Sequence, residues 1–261
     1  MGIQLQYCKV EREGHLTVVT INRPEVMNSL HYEGDLELDE VWTDFANDPE
    51  QWVAIVTGAG ERAFSTGNDL KAHAKIGGRR RFPPSGFAGL TTRFGLDKPV
   101  ISAINGIAMG GGFELALATD IIIAAGNASF ALSEPRVGLA ALAGGTQYLP
   151  RAIGLPRAMG ILLTGRRVSA QEAFNLGFVT ALAPEGGALA EARQWAAQLL
   201  ECSPLALRAT KDVARRSALS TEFGAFFGSD SEAVMRLRSS NDYLEGPRAF
   251  AEKRKPNWTN S

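Results

Sequence analysis

The sequence is poor in the residues that build disulfide scaffolds and metal sites. Its 261 residues include only 2 cysteines, Cys8 and Cys202, and 3 histidines. Two cysteines are too few for a disulfide framework, and no Cys/His cluster has the spacing of a metal site. We therefore expect a reducing, cytoplasmic location and no structural metal.

Long apolar runs and a strong net charge are also missing. No run reaches the ~18 residues that span a bilayer, and residues 1–10 lack the charged start and apolar stretch of a signal peptide. Lysine plus arginine number 27 and aspartate plus glutamate 28, a net charge of -1. This balance argues against nucleic acid as a partner, and the absent apolar run argues against a membrane. The 45% hydrophobic content is typical of a soluble globular protein.

Short apolar runs alternate with glycine turns and helical patterns. This alternation predicts an α/β fold whose active-site loops lie at one edge of a sheet. From about residue 200 the pattern becomes almost entirely helical, which divides the chain into a core at 1–199 and a C-terminal helical region at 200–261. Strands are predicted at His15–Asn22, Trp52–Thr57, Val100–Ile104, Ile121–Ala125 and Ala128–Leu132. Helices are predicted at Ser29–Ala46 with Ser29 as the cap, in a short stretch after Asp69, and at Phe113–Ala118, Ala158–Leu163, Ser169–Leu176, Gly187–Glu201, Pro204–Arg215 and Thr221–Leu244.

The segment from Ala74 to Gly89 has the character of an exposed, mobile loop. It contains paired glycines, paired prolines and three consecutive arginines, Arg79 to Arg81. The arginines could bind an anion, but a solvated basic run is the commoner explanation. They are therefore left unassigned, and we expect the segment as a whole to flank the substrate.

The stretch from Lys98 to Asp120 organises the rest of the chain. A buried strand is followed by Gly110, Gly111 and Gly112 and then by an apolar helix. Such a turn can aim backbone N–H groups at a ligand oxygen, because the first N–H groups of a helix have no intrahelical partner. Glu114 lies in the first turn of this helix, where it either complements the helix dipole or serves as a functional carboxylate.

A second carboxylate, Glu134, falls 20 positions later in a turn between apolar segments. Like Glu114, it is an acidic group in a largely apolar neighbourhood. Gly144, Gly145 and Thr146 open a further helix soon after it.

One motif points to a different class of protein. The run Gly58-Ala-Gly60-Glu-Arg-Ala63 follows a strand and matches the dinucleotide-binding pattern G-x-G-x-x-A. That pattern requires a helix of several turns from the second glycine, whereas Phe64-Ser-Thr-Gly67 interrupts it at once. We therefore reject an oxidoreductase, for which hydride transfer from NAD(P)H would be the test.

Several motifs lie in order along nearly the whole chain. They are Ala63-Phe-Ser-Thr-Gly-Asn-Asp-Leu70, Asn105-Gly-Ile-Ala-Met-Gly-Gly-Gly-Phe-Glu-Leu115, Phe130-Ala-Leu-Ser-Glu-Pro135, Gly144-Gly-Thr146, Leu163-Thr-Gly-Arg-Arg-Val-Ser-Ala170 and Glu245-Gly-Pro-Arg-Ala-Phe-Ala-Glu-Lys-Arg254. Together they resemble the enoyl-CoA hydratase (crotonase) superfamily. Within it, Gly86-Phe-Ala-Gly-Leu-Thr91 and Gly110-Gly-Gly-Phe-Glu-Leu-Ala-Leu-Ala118 look most like the carnitinyl-CoA dehydratase branch. The resemblance implies a crotonase-like spiral of ββα units with a C-terminal helical oligomerisation region. It also implies assembly as a homotrimer or homohexamer.

The resemblance assigns chemistry to four positions. The backbone N–H groups of Asn68 and Gly111 form an oxyanion hole, and Glu114 and Glu134 are the catalytic carboxylates. Fixed donors stabilise the negative charge that a thioester oxygen gains as its α-carbon becomes enolate-like. Two carboxylates in one desolvated pocket can hold one proton near neutral pH. The implied function is a reversible enoyl-CoA hydratase that converts a 2-enoyl-CoA to a 3-hydroxyacyl-CoA, with carnitinyl-CoA dehydration as one form of it.

The resemblance also implies contacts with the acyl-CoA substrate, so coenzyme A is not a separate cofactor. Phe250 and Lys253 fall on one face of a predicted helix and would approach the CoA of a neighbouring subunit. Leu142 replaces a glycine that helps to hold the catalytic water; its side chain either narrows the pocket or points into the core. The complete set of implied contacts is Ala63, Ser65, Asp69, Leu70, Leu142, Phe250 and Lys253.

Two other functions remain open at this stage. One is enoyl-CoA isomerisation or another reaction through a CoA-thioester enolate. The other is non-catalytic binding of a CoA thioester or of RNA, against which the paired glutamates and the near-neutral charge argue.

Overall fold

The structure is a computed structural model, and it describes residues 5–76, 81–219 and 231–261. Its strands are β1 Cys8–Glu13, β2 Leu16–Ile21, β3 Val53–Gly58, β4 Ala63–Ser65, β5 Val100–Ile104, β6 Ile107–Met109, β7 Ile121–Ala125, β8 Ser129–Ala131, β9 Val168–Ser169 and β10 Ala181–Ala183. Its helices are α1 Tyr32–Asn47, α2 Leu70–Ile76, α3 Gly111–Leu117, α4 Gly145–Ile153, α5 Leu155–Leu162, α6 Ala170–Leu176, α7 Ala188–Leu200, α8 Pro204–Leu219, α9 Glu232–Arg238 and α10 Asn241–Ala251. Short 3₁₀ turns occupy Pro24–Val26, Phe87–Gly89 and Glu134–Val137.

The strands form two sheets that the chain visits alternately. The larger sheet has the order β1-β2-β3-β5-β7-β10, and the smaller has the order β4-β6-β8-β9. Each of β3, β5 and β7 lies in the larger sheet and is followed by a strand of the smaller one, and then by a helix or a 3₁₀ turn. This repeated path is the spiral of ββα units that the resemblance implied.

The smaller sheet sets the position of the predicted site. Its strands β4, β6 and β8 pair in parallel. The carboxyl ends of parallel strands meet at one edge of a sheet, so the segments after Ser65, Met109 and Ala131 converge there. Those segments carry Asn68, Gly111 with Glu114, and Glu134.

Apolar side chains cover both faces of the larger sheet. One face packs on α7 through Ala188, Ala192 and Ala196, all fully buried. The other face packs into a second apolar core, in which the ring centroids of Phe113, Phe130 and Phe178 lie 5.1–5.2 Å apart. Sheets that are buried on both faces have continuous apolar strands, which explains why β5 and β7 have the bounds that the sequence predicts.

The first long helix begins later than predicted. Its cap is His31, whose Nδ1 accepts the Gly34 N–H at 3.1 Å, and not Ser29. Leu30, which was predicted to be helical, instead pairs with another segment of backbone. Its N–H donates to Gly67 O and its carbonyl accepts from Asp69 N, both at 2.8 Å. This pairing with the Gly67 turn keeps the backbone beside Ser29 out of the helix, so the prediction of a Ser29 cap was wrong.

The segment from Ala74 to Gly89 also differs from its prediction where the structure describes it. Helix α2 continues to Ile76, and Phe87, Ala88 and Gly89 are buried in a 3₁₀ turn against α1. Loop composition alone could not show that α1 would cover this turn. Gly77 and Gly78, together with Arg79 and Arg80, lie outside the described residues.

The predicted helix from Thr221 to Leu244 is not one helix. Within the described part, α9 ends at Arg238 and α10 begins at Asn241. The break occurs because the Ser240 hydroxyl caps α10 by accepting the Tyr243 N–H at 3.1 Å. The helical pattern also predicts an apolar face, packed on another subunit or on its own sheet, that consists of Phe223, Phe226, Phe227, Val234 and Leu237. Its three phenylalanines fall in residues 220–230, which lie outside the described ranges.

Candidate active site

A cavity of about 590 Å³ opens at the edge where β4, β6 and β8 end. It brings together five of the residues singled out from the sequence: Asn68, Gly111, Glu114, Glu134 and Leu142. The remainder of its lining is His73, Phe82, Gly86, Phe87, Thr91, Thr92, Leu139, Ala140 and Ala143. Carboxylates and backbone donors therefore share a largely apolar space.

The two glycine turns touch each other through their backbones. Gly67 has φ +81°, and a Cβ built on it would lie 2.5 Å from the Gly111 nitrogen and 2.7 Å from Met109 O. Any side chain at residue 67 would separate the turns, so glycine is required there both by conformation and by space. This contact brings Asn68 beside Gly111.

The backbone around Asn68 and Gly111 directs their N–H groups. Asn68 bridges Leu30 in parallel, with Gly67 O and Asp69 N bonded to Leu30. In this pattern the N–H of the bridging residue points to the opposite side, away from Leu30. Gly111 is the first residue of α3, so its N–H has no acceptor within the helix. The arrangement suits two donors to one oxygen atom.

Glu114 is a buried carboxylate with an altered proton affinity. Its side chain is 3% exposed, and its Oε1 accepts the N–H of Gly145, the first residue of α4, at 2.9 Å. Burial raises the pKa of Glu114 to about 7, and the negative charge of Glu134 adds to the rise against the opposing effect of the Gly145 N–H. Glu114 therefore keeps a proton near neutral pH far more readily than a solvated glutamate.

Glu134 opens the 3₁₀ turn after β8, and its carboxylate is only partly satisfied. Burial raises the pKa of Glu134 as well. Within the described part of the chain, its buried Oε2 has no hydrogen-bond partner. A Cβ on Gly110 would lie 3.1 Å from its Oε1, so the glycine also makes room for this carboxylate. An unsatisfied carboxylate oxygen in a cavity is suited to accept a proton or a water hydrogen.

Comparison with known proteins identifies the family. A sequence model of the family described as enoyl-CoA hydratase/isomerase matches residues 11–261. The carnitinyl-CoA dehydratases of Citrobacter koseri and Shigella flexneri are each 43% identical over 251 residues, covering 95% of this chain and 96% of theirs. The chain belongs to the enoyl-CoA hydratase/isomerase family.

Solved structures of the enoyl-CoA hydratase/isomerase family agree with the fold. An enoyl-CoA hydratase from Mycobacterium tuberculosis superposes with a TM-score of 0.91 at 36% identity, covering 98% of this chain and 99% of that one. A probable enoyl-CoA hydratase/isomerase from Mycobacterium abscessus gives 0.90 at 34% identity, covering 99% and 100%. The expected crotonase-like spiral is thus confirmed.

In this member of the hydratase/isomerase family, Leu142 lies at the mouth of the cavity. Its side chain is 75% exposed, so it does not point into the core, which was one of the two alternatives. Its N–H donates to Ala140 O at 2.8 Å and is therefore not directed at a water in the cavity. Leu142 acts on the cavity through its side chain, which lines the opening.

Four predicted contacts around the Gly67 turn lie outside the lining of the cavity. Ala63 and Ser65 are fully buried, and the Ser65 hydroxyl shapes the turn by donating to Asn28 O at 2.8 Å and accepting from Gly67 N at 3.1 Å. Asp69 caps the Ala72 N–H at 3.0 Å and pairs with Arg23 at 3.3 Å. Leu70 is exposed at the start of α2. Their contact with CoA remains a prediction.

Phe250 and Lys253 also lie outside the cavity of this single chain. Phe250 is 87% exposed on α10. Lys253 follows the end of α10 at Ala251 and has φ +53°, so the expectation that both residues share one helical face was wrong. The helix ends in a turn in which the Lys253 N–H donates to Phe250 O at 3.2 Å and the Arg254 N–H donates to Ala249 O at 3.1 Å.

Sequence reasoning missed His73, Phe82 and Phe87 as lining residues. His73 lies on α2, where its Nδ1 is 2.8 Å from the Asn68 Nδ2. A signal for it existed, because His73 is one of 3 histidines and follows the first glycine turn by a single helical turn. Phe82 and Phe87 lie in the segment that we expected to flank the substrate, but its loop composition does not indicate which of its side chains line the cavity.

The described ranges contain neither a membrane-spanning helix nor a cluster of metal ligands. No helix there is long and apolar enough to cross a bilayer. No group of three or more His, Cys, Asp or Glu side chains in those ranges could hold a metal ion.

Proposed function

We propose that this protein is an enoyl-CoA hydratase, which reversibly adds water to a 2-enoyl-CoA to give a 3-hydroxyacyl-CoA. The observation that carries the proposal is that Glu114 and Glu134 line one cavity beside the touching turns at Gly67 and Gly111. The family match and the carnitinyl-CoA dehydratase relatives support it. We further propose that no cofactor is needed, because coenzyme A arrives with the substrate.

The backbone donors would act on the thioester oxygen. Addition of water at the β-carbon moves negative charge onto this oxygen as an enolate forms. The N–H groups of Asn68 and Gly111 would stabilise that charge more than the neutral carbonyl, and one such donor is worth roughly 3–4 kcal/mol. Because they belong to the fixed backbone, they need no reorganisation during the reaction.

The carboxylates would move the protons. Hydration requires one group to accept a proton from the attacking water and another to deliver a proton to the α-carbon. The pKa of Glu114, raised to about 7, and the raised pKa of Glu134 let the pair hold a single proton near neutral pH. Dehydration uses the same groups in reverse.

A second depression supports binding of the CoA portion. It has a volume of about 580 Å³ and includes Asp69, the residue after Asn68, in its lining. Its basic side chains are suited to phosphate groups, and they outnumber its acidic ones. They are Arg23, Lys71, Lys75 and Arg81.

We also propose a homotrimer or a homohexamer, in which Phe250 and Lys253 contact the CoA of a neighbouring subunit. The support is the exposure of a large aromatic ring at Phe250, together with exposed Tyr243 and Leu244 on the same helix. An assembly that covered α10 would bury this apolar surface. Sedimentation of the purified protein tests the assembly.

A substrate panel tests the proposed activity. Enoyl-CoA and 3-hydroxyacyl-CoA thioesters, including crotonobetainyl-CoA and carnitinyl-CoA, are incubated with the protein and analysed for gain or loss of water by mass spectrometry. We expect water addition to at least one 2-enoyl-CoA. A double bond that moves without a change in mass would instead identify an isomerase, and release of free CoA would identify a thioester hydrolase.

A further inference from the structure

The ring of Phe87 forms a wall directly beside Gly111. Phe87 is 2% exposed and lines the cavity. A Cβ built on Gly111 would lie 2.8–3.0 Å from three carbons of this ring, so the ring occupies the space next to the proposed oxyanion donor. A thioester oxygen bound to the Gly111 N–H would lie roughly 3 Å from that nitrogen. The α-carbon of the acyl group is only two bonds further, which places it near the ring.

The backbone that carries Phe87 has an unusual conformation. Ala88, the next residue, has φ +52° although it is not glycine and is completely buried. A non-glycine residue persists in the left-handed region when its surroundings enforce it, and such residues concentrate at functional sites. On Phe87 itself, the N–H donates to the Thr91 hydroxyl at 2.9 Å.

Helix α1 enforces this conformation by bonding the peptide groups on both sides of the Ala88 Cα. The Ala88 N–H donates to Asp35 Oδ1 at 2.9 Å, and the Trp42 indole N–H donates to Ala88 O at 3.1 Å. Gly89 packs so tightly on α1 that an added Cβ would overlap the Asp39 backbone. Asp35 and Trp42 are fully buried. The position of the Phe87 ring is therefore set by α1 and not by the flexibility of its own segment.

We propose that Phe87 determines acyl specificity by excluding α-substituted acyl groups, with Asp35 and Trp42 of α1 as positioning residues. The inference rests on the proposed function, since it takes the Gly111 N–H as a donor to the thioester oxygen. A linear 2-enoyl group presents only hydrogen at its α-carbon and passes beside the ring. A 2-methyl-2-enoyl group places a methyl where the ring already lies, and a rigid site can discriminate about 10-fold or more against one such carbon.

Specificity ratios test the proposal. Crotonyl-CoA and its 2-methyl analogue are compared by kcat/KM for the wild type, Phe87→Ala, Trp42→Phe and the control Phe94→Ala. Phe94 follows Phe87 in the same connection and is 69% exposed outside the cavity. We expect Phe87→Ala to raise the ratio of 2-methyl to linear substrate about 10-fold or more. Trp42→Phe, which keeps a ring but loses the donor to Ala88 O, should raise it less, and Phe94→Ala should not change it.

A binding arm separates this proposal from the proposed reaction. The same variants are titrated with acetoacetyl-CoA and 2-methylacetoacetyl-CoA, 3-oxoacyl thioesters that offer no double bond for hydration. A relative gain in affinity for the 2-methyl ligand in Phe87→Ala supports the role of Phe87 even if no substrate is hydrated. A ratio within twofold of the wild type in both assays overturns it. If Trp42 had a merely structural role, Trp42→Phe would lower stability or total activity without shifting either ratio.

Discussion

The edge of the smaller sheet and the C-terminal helical region were both expected to supply the active site, but the single chain builds them very differently. At the sheet edge, Gly67 packs directly on Gly111, since a Cβ added to Gly67 would lie only 2.5 Å from the Gly111 nitrogen. In the C-terminal region, Phe250 projects into solvent and lies outside the cavity. The residues proposed to carry the chemistry meet within one chain, whereas the proposed role of α10 requires a neighbouring subunit.

The C-terminal region is nevertheless well attached to its own core. Lys211 and Arg215 of α8 each bond Asp120 at 2.8 Å, and Lys211 also donates to Lys98 O at 2.6 Å. The final residues return to α10, where the Thr259 N–H donates to Asp242 at 2.8 Å. Removing residues 246–261 would therefore disturb the subunit itself, so single substitutions test this region more cleanly.

The largest effects are expected at the carboxylates. Glu114→Gln and Glu134→Gln should each lower hydration by roughly 10²–10⁴-fold, because each removes a proton-transfer group. Gln keeps the size of the side chain and, at position 114, an oxygen for the Gly145 N–H. Turnover by each purified variant is measured beside its melting curve; near-wild-type turnover by either would remove that glutamate from the pair.

The next largest effect is expected at the glycine turn. Gly111→Val should lower turnover by roughly 10²–10³-fold or more, because the new side chain meets the Phe87 ring and shifts the donor. Gly126→Val is the matched control, since an added Cβ there meets only ordinary contact at 3.7 Å from Ala183 O.

Asn68→Ala should lower turnover much less than Gly111→Val, because the proposed donor at residue 68 is the backbone N–H, which alanine keeps. It still removes the amide beside His73, so a small change in KM is expected. If Asn68→Ala were the more damaging of the two at equal stability, backbone donation at residue 68 would be wrong. Steady-state kinetics on folded samples decides between them.

A stability effect of intermediate size is expected from the raised pKa of Glu114. Its pKa is about 7 in the folded chain against an ordinary 4.5, so the folded state holds the proton more tightly. The free energy of unfolding should therefore fall as pH rises from about 4.5 to 7, by up to about 2–3 kcal/mol from this group. Glu114→Gln should gain stability relative to the wild type at pH 8 but not at pH 4.5. Chemical denaturation at both pH values measures the difference, and a pH-independent difference would contradict the assigned pKa.

The smallest effect is expected at the C-terminal region. Lys253→Ala should raise KM roughly two- to fivefold with kcat nearly unchanged, since an exposed charge far from the reacting carbons contributes mainly uniform binding. Lys255→Ala, an exposed lysine two residues later, serves as the control. If Lys253→Ala sedimented as a trimer and its KM were unchanged, Lys253 would not contribute to substrate binding, and the site would consist of the sheet edge alone.

The sequence predicted those parts of the molecule whose structure depends on local patterns. The bounds of β5 and β7 follow from apolar, largely β-branched runs that end at turn signals, and the convergence of Asn68, Gly111, Glu114 and Glu134 follows from parallel strands. Their catalytic roles remain predictions from the resemblance.

The sequence could not show features that depend on distant partners. Phe87 is buried because Asp35, 53 positions before Ala88, holds the turn against α1. Ser29 does not cap α1 because the neighbouring Leu30 pairs with the turn at Gly67. Neither contact leaves a periodic pattern in the residues that make it, so local propensity gives the wrong structure at both places.

Oxygen-18 labelling tests the central claim most directly. Wild-type protein is incubated with crotonyl-CoA, and with any other 2-enoyl-CoA that the panel identifies, in H₂¹⁸O, and the product is analysed by mass spectrometry. We expect one labelled oxygen at C3 of an intact 3-hydroxyacyl-CoA, with its formation lost in both Glu114→Gln and Glu134→Gln. Label in a released carboxylic acid, or an intact thioester without label across the whole panel, would contradict a hydratase built on these two carboxylates.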